Sequence, residues 1–341
     1  MQCKIASNAS KMSRSIHLMV LILALGSVLS GCRGSQEPGR EAIKVTLATT
    51  PVIYTGLIAV ADQKGFFRQA GLDVSIRSDY PAGLQSMQAL ERGEVQMATG
   101  AAFVFSGMME DDHSLRILAT VGSTNDHEIV ARKDRGILQP ADLRGKRIGV
   151  VLDTVSEYAL SMFLDMNAID PASVTLVDIS PPEMPKALSQ GEVDAISIWG
   201  KFSFLARKGL GDNAVSWPSQ YAMDYYWILA ARKDLLDSSP EIATRFLKAL
   251  KQAELFVLSH EQEAKDIIRK RWDLEPDFVA QTWDKNKLRV VLDQSLVISL
   301  ENAIRWRMLT KGRPTEVPNI LDKIRKAPLE KIDPKAVTIY K

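Results

Sequence analysis

Ala89-Leu-Glu-Arg-Gly-Glu-Val-Gln-Met-Ala-Thr99 and, later in the chain, Ala187-Leu-Ser-Gln-Gly-Glu-Val-Asp-Ala-Ile-Ser197 are two copies of one pattern. In each, an amphipathic run ends at a glycine suited to a left-handed helix cap, and a Glu-Val step then opens a short apolar strand. Upstream of the first copy lie an apolar run at residues 45–48, a helical run from Tyr54, an apolar run at 72–76 and a proline-glycine turn at 81–83. Upstream of the second lie 148–152, a helical run from Ser156, 174–179 and the Pro181-Pro182 turn. Both halves therefore read β-α-β-α-β. Alternating strands and helices of this length imply parallel sheets covered on both faces, so the expected architecture is two similar α/β lobes with a cleft between them.

Composition is compatible with that reading. The chain has 341 residues, 46% apolar and 25% charged, enough to bury two cores. The net charge of +2 is spread without a basic stripe interleaved with aromatics, which argues against a nucleic-acid partner. Four histidines, His17, His113, His127 and His260, form no Cys/His ligand spacing, so no metal is expected. No Gly-x-Ser-x-Gly elbow, phosphate-loop lysine or Gly-x-Gly-x-x-Gly run is present, and no cofactor is expected.

Lys4, Lys11 and Arg14 precede an apolar run at residues 18–29, too short to span a bilayer but suited to a signal-peptide core. It ends in Leu29-Ser30-Gly31-Cys32, which resembles the lipobox of bacterial lipoproteins; the alternative is an ordinary small-residue cleavage site with an incidental cysteine. Cys3 falls in the removed segment, leaving Cys32 as the sole thiol of the mature chain, unable to form an internal disulfide. The expectation is a signal peptide over 1–31, lipid on Cys32 and a polar tether over 32–42.

The run Ala61-Asp-Gln-Lys-Gly-Phe-Phe-Arg-Gln-Ala-Gly-Leu-Asp-Val74 resembles the opening of solute-binding proteins of ABC importers, in the branch serving nitrate, taurine, alkanesulfonates and thiamine-precursor pyrimidines. Asp142-Leu-Arg-Gly-Lys-Arg-Ile-Gly-Val150 and Val193-Asp-Ala-Ile-Ser-Ile-Trp199 resemble two further signatures of that family, in its order. The resemblance implies a type II periplasmic-binding fold in which the chain crosses between lobes twice, near Asp126 and near Asp224. Lobe I is then 43–127 plus 224–341, and lobe II is 128–223. It also implies an extracytoplasmic binding protein without catalysis, delivering a small polar organic solute to a permease and its ATPase. The alternatives are a cleft enzyme related to thiamine-pyrimidine synthesis, whose cysteine-rich motif has no match here, and a ligand-sensing lipoprotein. No long heptad run suggests a dimer, so a monomer is expected. Residues 311–341 read as a loosely packed tail of lobe I.

In open parallel sheets, ligands sit beyond the carboxyl ends of the strands. That rule nominates Thr50, Tyr54, Thr55, Asp79, Gly100 and Ala101 in lobe I, and Thr154, Ser156, Glu157, Trp199 and Lys201 in lobe II, with Asn125 and Asp224 at the crossings. The helix starting near Ser156 offers free N–H groups to an anion. Thr154-Val-Ser-Glu157 equally fits a capping box, Tyr54 equally fits packing on its own helix, and Asp126 and Asp224 fit hydrogen bonding to the crossing backbone. Trp199 aligns with the tryptophan of the family's Trp-Glu-Pro turn, but Gly200-Lys201 replaces Glu-Pro here. Lys201 favours an anionic solute, whereas Asp79, Asp153, Glu157 and Asp194 favour an amine; a zwitterion or a neutral nitrogen heterocycle would suit both.

Overall fold

A computed structural model describes residues 42–109, 114–220, 223–312 and 316–340; the expected leader, Cys32 and most of the tether lie outside them. The first half builds β1 (Ile43–Ala48), α1 (Gly56–Gln63), α2 (Phe66–Gln69), β2 (Leu72–Arg77), α3 (Gly83–Glu91), β3 (Met97–Ala101), α4 (Ala102–Met108) and β4 (Leu115–Thr124). The second builds β5 (His127–Arg132), β6 (Arg147–Val150), α5 (Val155–Met166), β7 (Thr175–Asp178), α6 (Met184–Gln190), β8 (Ala195–Trp199), α7 (Gly200–Leu210) and β9 (Ala214–Pro218). There follow β10 (Tyr225–Arg232), α8 (Lys233–Ser238), α9 (Glu241–Ser259), α10 (Glu261–Arg271), α11 (Pro276–Thr282), β11 (Asn286–Lys287), β12 (Leu292–Asp293), α12 (Gln294–Lys311), α13 (Ala327–Ile332) and β13 (Val337–Thr338).

Two large sheets result, ordered β2-β1-β3-β10-β4-β11 and β7-β6-β8-β5-β9, beside a two-stranded pair, β12-β13. In each, the three strands of the β-α-β-α-β half run parallel, and a fourth strand, β10 or β5, pairs antiparallel beside them. That fourth strand is the one the chain enters on arriving from the other sheet. β4 ends at Thr124 and β5 starts at His127; β9 ends at Pro218 and β10 starts at Tyr225. The molecule is thus two similar α/β lobes joined by two crossings.

The repeat extends to single hydrogen bonds. Gly93 and Gly191 both adopt left-handed backbone, with φ of 73° and 76°, conformations that Cβ disfavours in other residues. Three residues past each glycine, Gln96 Oε1 accepts from Thr46 N at 2.7 Å and Asp194 Oδ2 accepts from Arg147 N at 2.9 Å, each tying the repeat to its central strand. β5 and β10 both run into Arg-Lys-Asp, at residues 132–134 and 232–234. Arg132 donates to the carbonyls of Leu188 and Ser189 at the end of α6, and Arg232 donates to that of Glu91 at the end of α3. Each guanidinium is braced by the Asp two residues on, and each satisfies carbonyls that a helix end leaves unpaired.

Ile129, Ile148, Leu160 and Phe163 form a separate core on one face of the second sheet. The core of the first sheet, with Leu47, Leu57, Met97 and Phe246, continues through Tyr54, Tyr225, Tyr158 and Trp199 into the second lobe. Ile242, Phe246, Leu250 and Ala253 are buried along one face of α9, as their spacing predicts. At its start Pro240 precedes the first helical residue, and the Ser239 carbonyl accepts from Ile242 N.

Residues 316–340 are not the loosely packed tail that their polarity suggests. Ile320, Ile324 and Leu329 are buried, the Arg325 N–H bonds to the Ile117 carbonyl of β4, and β13 pairs with β12. Each element there is a turn or two long, so one apolar side chain anchors it and no periodicity accumulates for a sequence reading to detect.

Candidate functional site

Rings contributed from both lobes pack together where the lobes meet. Tyr54 sits in a 3₁₀ turn, Ile53–Thr55, and meets Trp227 of β10 with centroids 4.9 Å apart. That turn lies directly on β4 because Gly122 has no side chain: a Cβ there would stand 2.2 Å from the Tyr54 carbonyl oxygen. Tyr225 lies two residues before Trp227, on the same face of the strand. Its ring stands edge-on to His127 at 6.0 Å, and His127 in turn faces Trp199, its ladder partner on β8, at 6.2 Å. Toward the other side Tyr225 approaches Tyr158 of α5 at 6.1 Å; Tyr158 stacks on Phe103 of α4 at 5.0 Å, and Trp306 of α12 closes against both.

Buried polar atoms without a hydrogen-bond partner gather on these same elements: Thr50 Oγ1, Thr124 Oγ1, Asp126 Oδ1, His127 Nε2 and Trp227 Nε1. A buried polar atom left unpaired costs free energy, and sites awaiting a ligand are where native proteins keep such atoms. Asp126 is 3% exposed. Burial pushes its pKa up to about 6, against the pull of the Thr124 hydroxyl, the Lys285 ammonium and the Gly200 amide. Burial likewise lowers the His127 imidazole to about 3, so it is neutral, with Nδ1 2.8 Å from Ser219 Oγ. The Tyr54 phenol is pushed well up, first by burial and then by the Asp126 charge, which places the two in electrostatic reach.

Of the residues nominated from sequence, Thr50, Tyr54 and Trp199 lie beside this ring band, and all three are buried. Gly100 and Ala101 are also buried and pair with Ile228 and Trp227, offering backbone only. Three hydroxyls are already committed. Thr55 donates to the Thr50 and Val52 carbonyls, Thr154 donates to Val151 O while accepting from Ser156 N, and Ser156 bridges Val151 N and Ser197 O. Glu157 accepts from Asp153 N at 2.9 Å and from Lys311 Nζ at 2.7 Å, so the start of α5 carries its own anion. Asp224 bonds Lys287 at 2.6 Å in a cavity of about 440 Å³ that adjoins the ring band, being lined also by Tyr158, Tyr225, Tyr226 and the Ser295–Asn302 face of α12. Asn125 donates its backbone N–H to the Lys285 carbonyl, and Asp79 is exposed on the loop after β2. Lys201 is half-buried with Nζ 5.3 Å from the Phe202 ring, and burial lowers its pKa.

Trp227, Tyr225, Phe103 and His127 were not nominated, whereas Tyr158 ends the 153–158 stretch to which the strand-end rule points. The signal for Trp227 and Tyr225 was the strand after the return crossing: once β10 is inserted between β3 and β4, alternate residues at its start must face the cleft. Phe103 is the second residue of α4, one position beyond the 99–102 stretch at the end of β3.

The NMT1/THI5-like family matches residues 53–264, more than half of the chain, including the whole second sheet and four of the six strands of the first. The chain belongs to that family. It is 24% identical over 215 residues to the taurine-binding periplasmic protein of Escherichia coli, covering 63% of this chain and 66% of that one. It is 22% identical over 313 residues to a putative aliphatic sulfonates-binding protein of Bacillus subtilis, covering 89% and 92%. Among solved structures, the alkanesulfonate-binding protein SsuA of Xanthomonas axonopodis pv. citri, bound to MOPS, superposes with a TM-score of 0.71 at 15% identity, over 84% of this chain and all of that one. This member of the NMT1/THI5-like family therefore carries the periplasmic binding protein fold.

Proposed function

We propose that this chain is the extracytoplasmic solute-binding component of an ABC importer, capturing a small polar organic solute between its lobes and passing it unchanged to a permease and ATPase. The observation that carries the reading is the ring band spanning both lobes with five buried, unpartnered polar atoms on its elements. An apolar lining with a few convergent polar groups is the usual make-up of a small-molecule site. Relatives named for taurine and aliphatic sulfonates support the solute-capture reading. The working form is a monomer tethered by lipid on Cys32. Thr50, Tyr54, Trp199 and Trp227 make the primary contacts.

A thermal-shift screen across sulfonates, nitrate, amines, amino acids and pyrimidines tests this. A solute at a hundred times its dissociation constant stabilises by about 2.7 kcal/mol, or roughly 4 °C for a folded unit of this size. Trp227→Ala weakens binding of the hit by about 1–3 kcal/mol, and Trp199→Ala serves as an independent check. Mass spectrometry recovers the solute unaltered. Conversion of the solute, or a response indifferent to both tryptophans, sinks the reading.

A further inference from the structure

We propose that the end of the first lobe remote from the crossings docks on the membrane, where a groove between α9 and α13 seats the headgroup of an anionic phospholipid from the bilayer that carries the anchor. The inference goes beyond solute capture and rests on the lipid reading of Cys32. β1 starts at Ile43 and leads to the cleft, whereas β10 leaves the second crossing at Tyr225 and ends at Arg232, with Ala231 beside Met97 at the start of β3. α8 and the start of α9 therefore lie at the pole where the chain enters the fold. The two are in touch: the Gly71 carbonyl accepts from Ile43 N at 3.0 Å, and a Cβ on Gly71 would stand 2.6 Å from Arg245 Nη1 of α9.

Arg245 lines a groove of about 860 Å³ at that pole, with Arg325, Lys326 and Lys331 in and just before α13. Its apolar lining, Leu236, Ala243, Ile324 and Pro328, is buried, and two acids that also line it, Glu241 and Glu330, are exposed. Among the described residues Arg245, Lys326 and Lys331 make no ion pair; Arg325 bonds Asp237 at 3.2 Å, and that carboxylate is also bonded by Lys233 at 2.5 Å. The Lys233 ammonium, then Arg325 and Arg116, hold the Asp237 pKa below the usual carboxylate range, so cations outnumber acids around it. Cations flanking an apolar floor fit a phospholipid, whose anionic phosphate sits on an apolar stem. Overall charge would not bring this chain to an anionic surface: cleavage before Cys32 removes Lys4, Lys11 and Arg14 and no acid, leaving one net negative charge. The anchor supplies the proximity. Ten residues separate Cys32 from Ile43, at most about 40 Å of extended chain, so an anchored protein holds this pole at the high effective concentration at which weak contacts count. Docking by this pole leaves the cleft, at the other end of the lobe, facing the surrounding solution.

Cys32 is the sole thiol of the mature chain, so it can be coupled to a maleimide-bearing lipid in vesicles of phosphatidylcholine alone or of phosphatidylcholine and phosphatidylglycerol in equal parts, with lysine acetylation read by mass spectrometry. Acetylation of Lys326 and Lys331 should fall roughly fivefold or more on the anionic vesicles relative to the neutral ones and recover at high salt, while the exposed Lys186 and Lys270 react equally on both. Lys331→Glu alone, on an exposed side chain, should lower the protection of Lys326 in part, and Arg245→Glu with Lys331→Glu should abolish it at a nearly unchanged melting temperature. Equal acetylation on the two vesicles, equal protection of Lys186 and Lys270, or protection that survives both reversals overturns the proposal. Protection that follows protein density instead of lipid charge overturns it in favour of a second copy of this chain in the groove. The coupling supplies the anchor chemically, so these outcomes are independent of whether Cys32 carries lipid in the cell, which the fractionation of Cys32→Ser decides separately.

Discussion

Asp126 and His127 are chain neighbours with opposite sensitivities to acid. The Asp126 pKa is raised from 3.8 to about 6, so the folded state holds that proton more firmly than the unfolded chain, and stability drops as pH rises from about 4 to 6. The cost reaches about 3 kcal/mol at neutral pH, at 1.36 kcal/mol per unit. His127 is lowered from 6.5 to about 3, so its contribution is complete above 6.5 and drains away as pH falls. Comparing Asp126→Asn with the parent at each pH isolates the first effect. The variant should melt several degrees higher at pH 7.5, with the gap closing below pH 4. A variant melting lower at pH 7.5 would show that Asp126 has a stabilising partner in the ligand-free protein. The same two residues show why the site was only partly legible. Asp126 and Asp224 look alike as isolated acids in turns, but folding leaves one with an unpartnered oxygen and pairs the other with Lys287, far away in the chain.

Helix α12 is a strap across the cleft. It packs on α4 of the first lobe, while its last turns reach α5 of the second: Trp306 Nε1 donates to Ser161 Oγ at 2.9 Å, Lys311 bonds Glu157 and Arg307 meets Asp153 at 3.4 Å. Lys311 is about one-third exposed, so its bond is worth less than a buried pair. With about 1 kcal/mol for the tryptophan bond, the two contacts together favour closure by about 1–2 kcal/mol. Lys311→Ala combined with Ser161→Ala should therefore weaken solute binding by roughly 5- to 30-fold while the ligand-free melting temperature changes little, since contacts present only in the closed form tax only closure. Unchanged affinity in a competition titration would mean that these contacts persist when the lobes part. The strands and helices that α12 bridges were readable from their periods, but α12 itself reads as an ordinary helical run. Its use of Trp306 and Lys311 is decided by a partner helix that sequence spacing does not reveal.

For the whole molecule, the proposed lipid anchor on Cys32 predicts where the protein resides. Several acyl chains hold a protein stably at a membrane, whereas a single chain does so marginally. Cys32→Ser should leave the protein either free in the extracytoplasmic fraction or retained as an uncleaved precursor, and the freed form should sediment as a monomer. Membrane association persisting after cleavage, or a stable dimer, would contradict the anchor or the monomer respectively. Among the described residues no helix is long and apolar enough to cross a membrane, so α1–α13 offer no helical span as a substitute for that anchor.

By itself the sequence determined the repeated β-α-β-α-β halves and hence the two-lobed architecture. Those features are local: a glycine after α3 and α6, an apolar run of strand length and a helical period each write themselves within a few residues. The tertiary structure alone decided which side chains share the cleft. Thr55, Thr154 and Ser156 sit in the right loops, but their hydroxyls are consumed by neighbouring backbone, a competition that neither composition nor spacing records. Trp227 and Tyr225 enter because β10 inserts between β3 and β4, and Tyr158 of the second lobe meets Phe103 and Trp306 of the first only through the packing of the assembled chain. Such contacts depend on strand order and lobe separation, properties of the assembled chain, which is why the fold was written locally and the site was not.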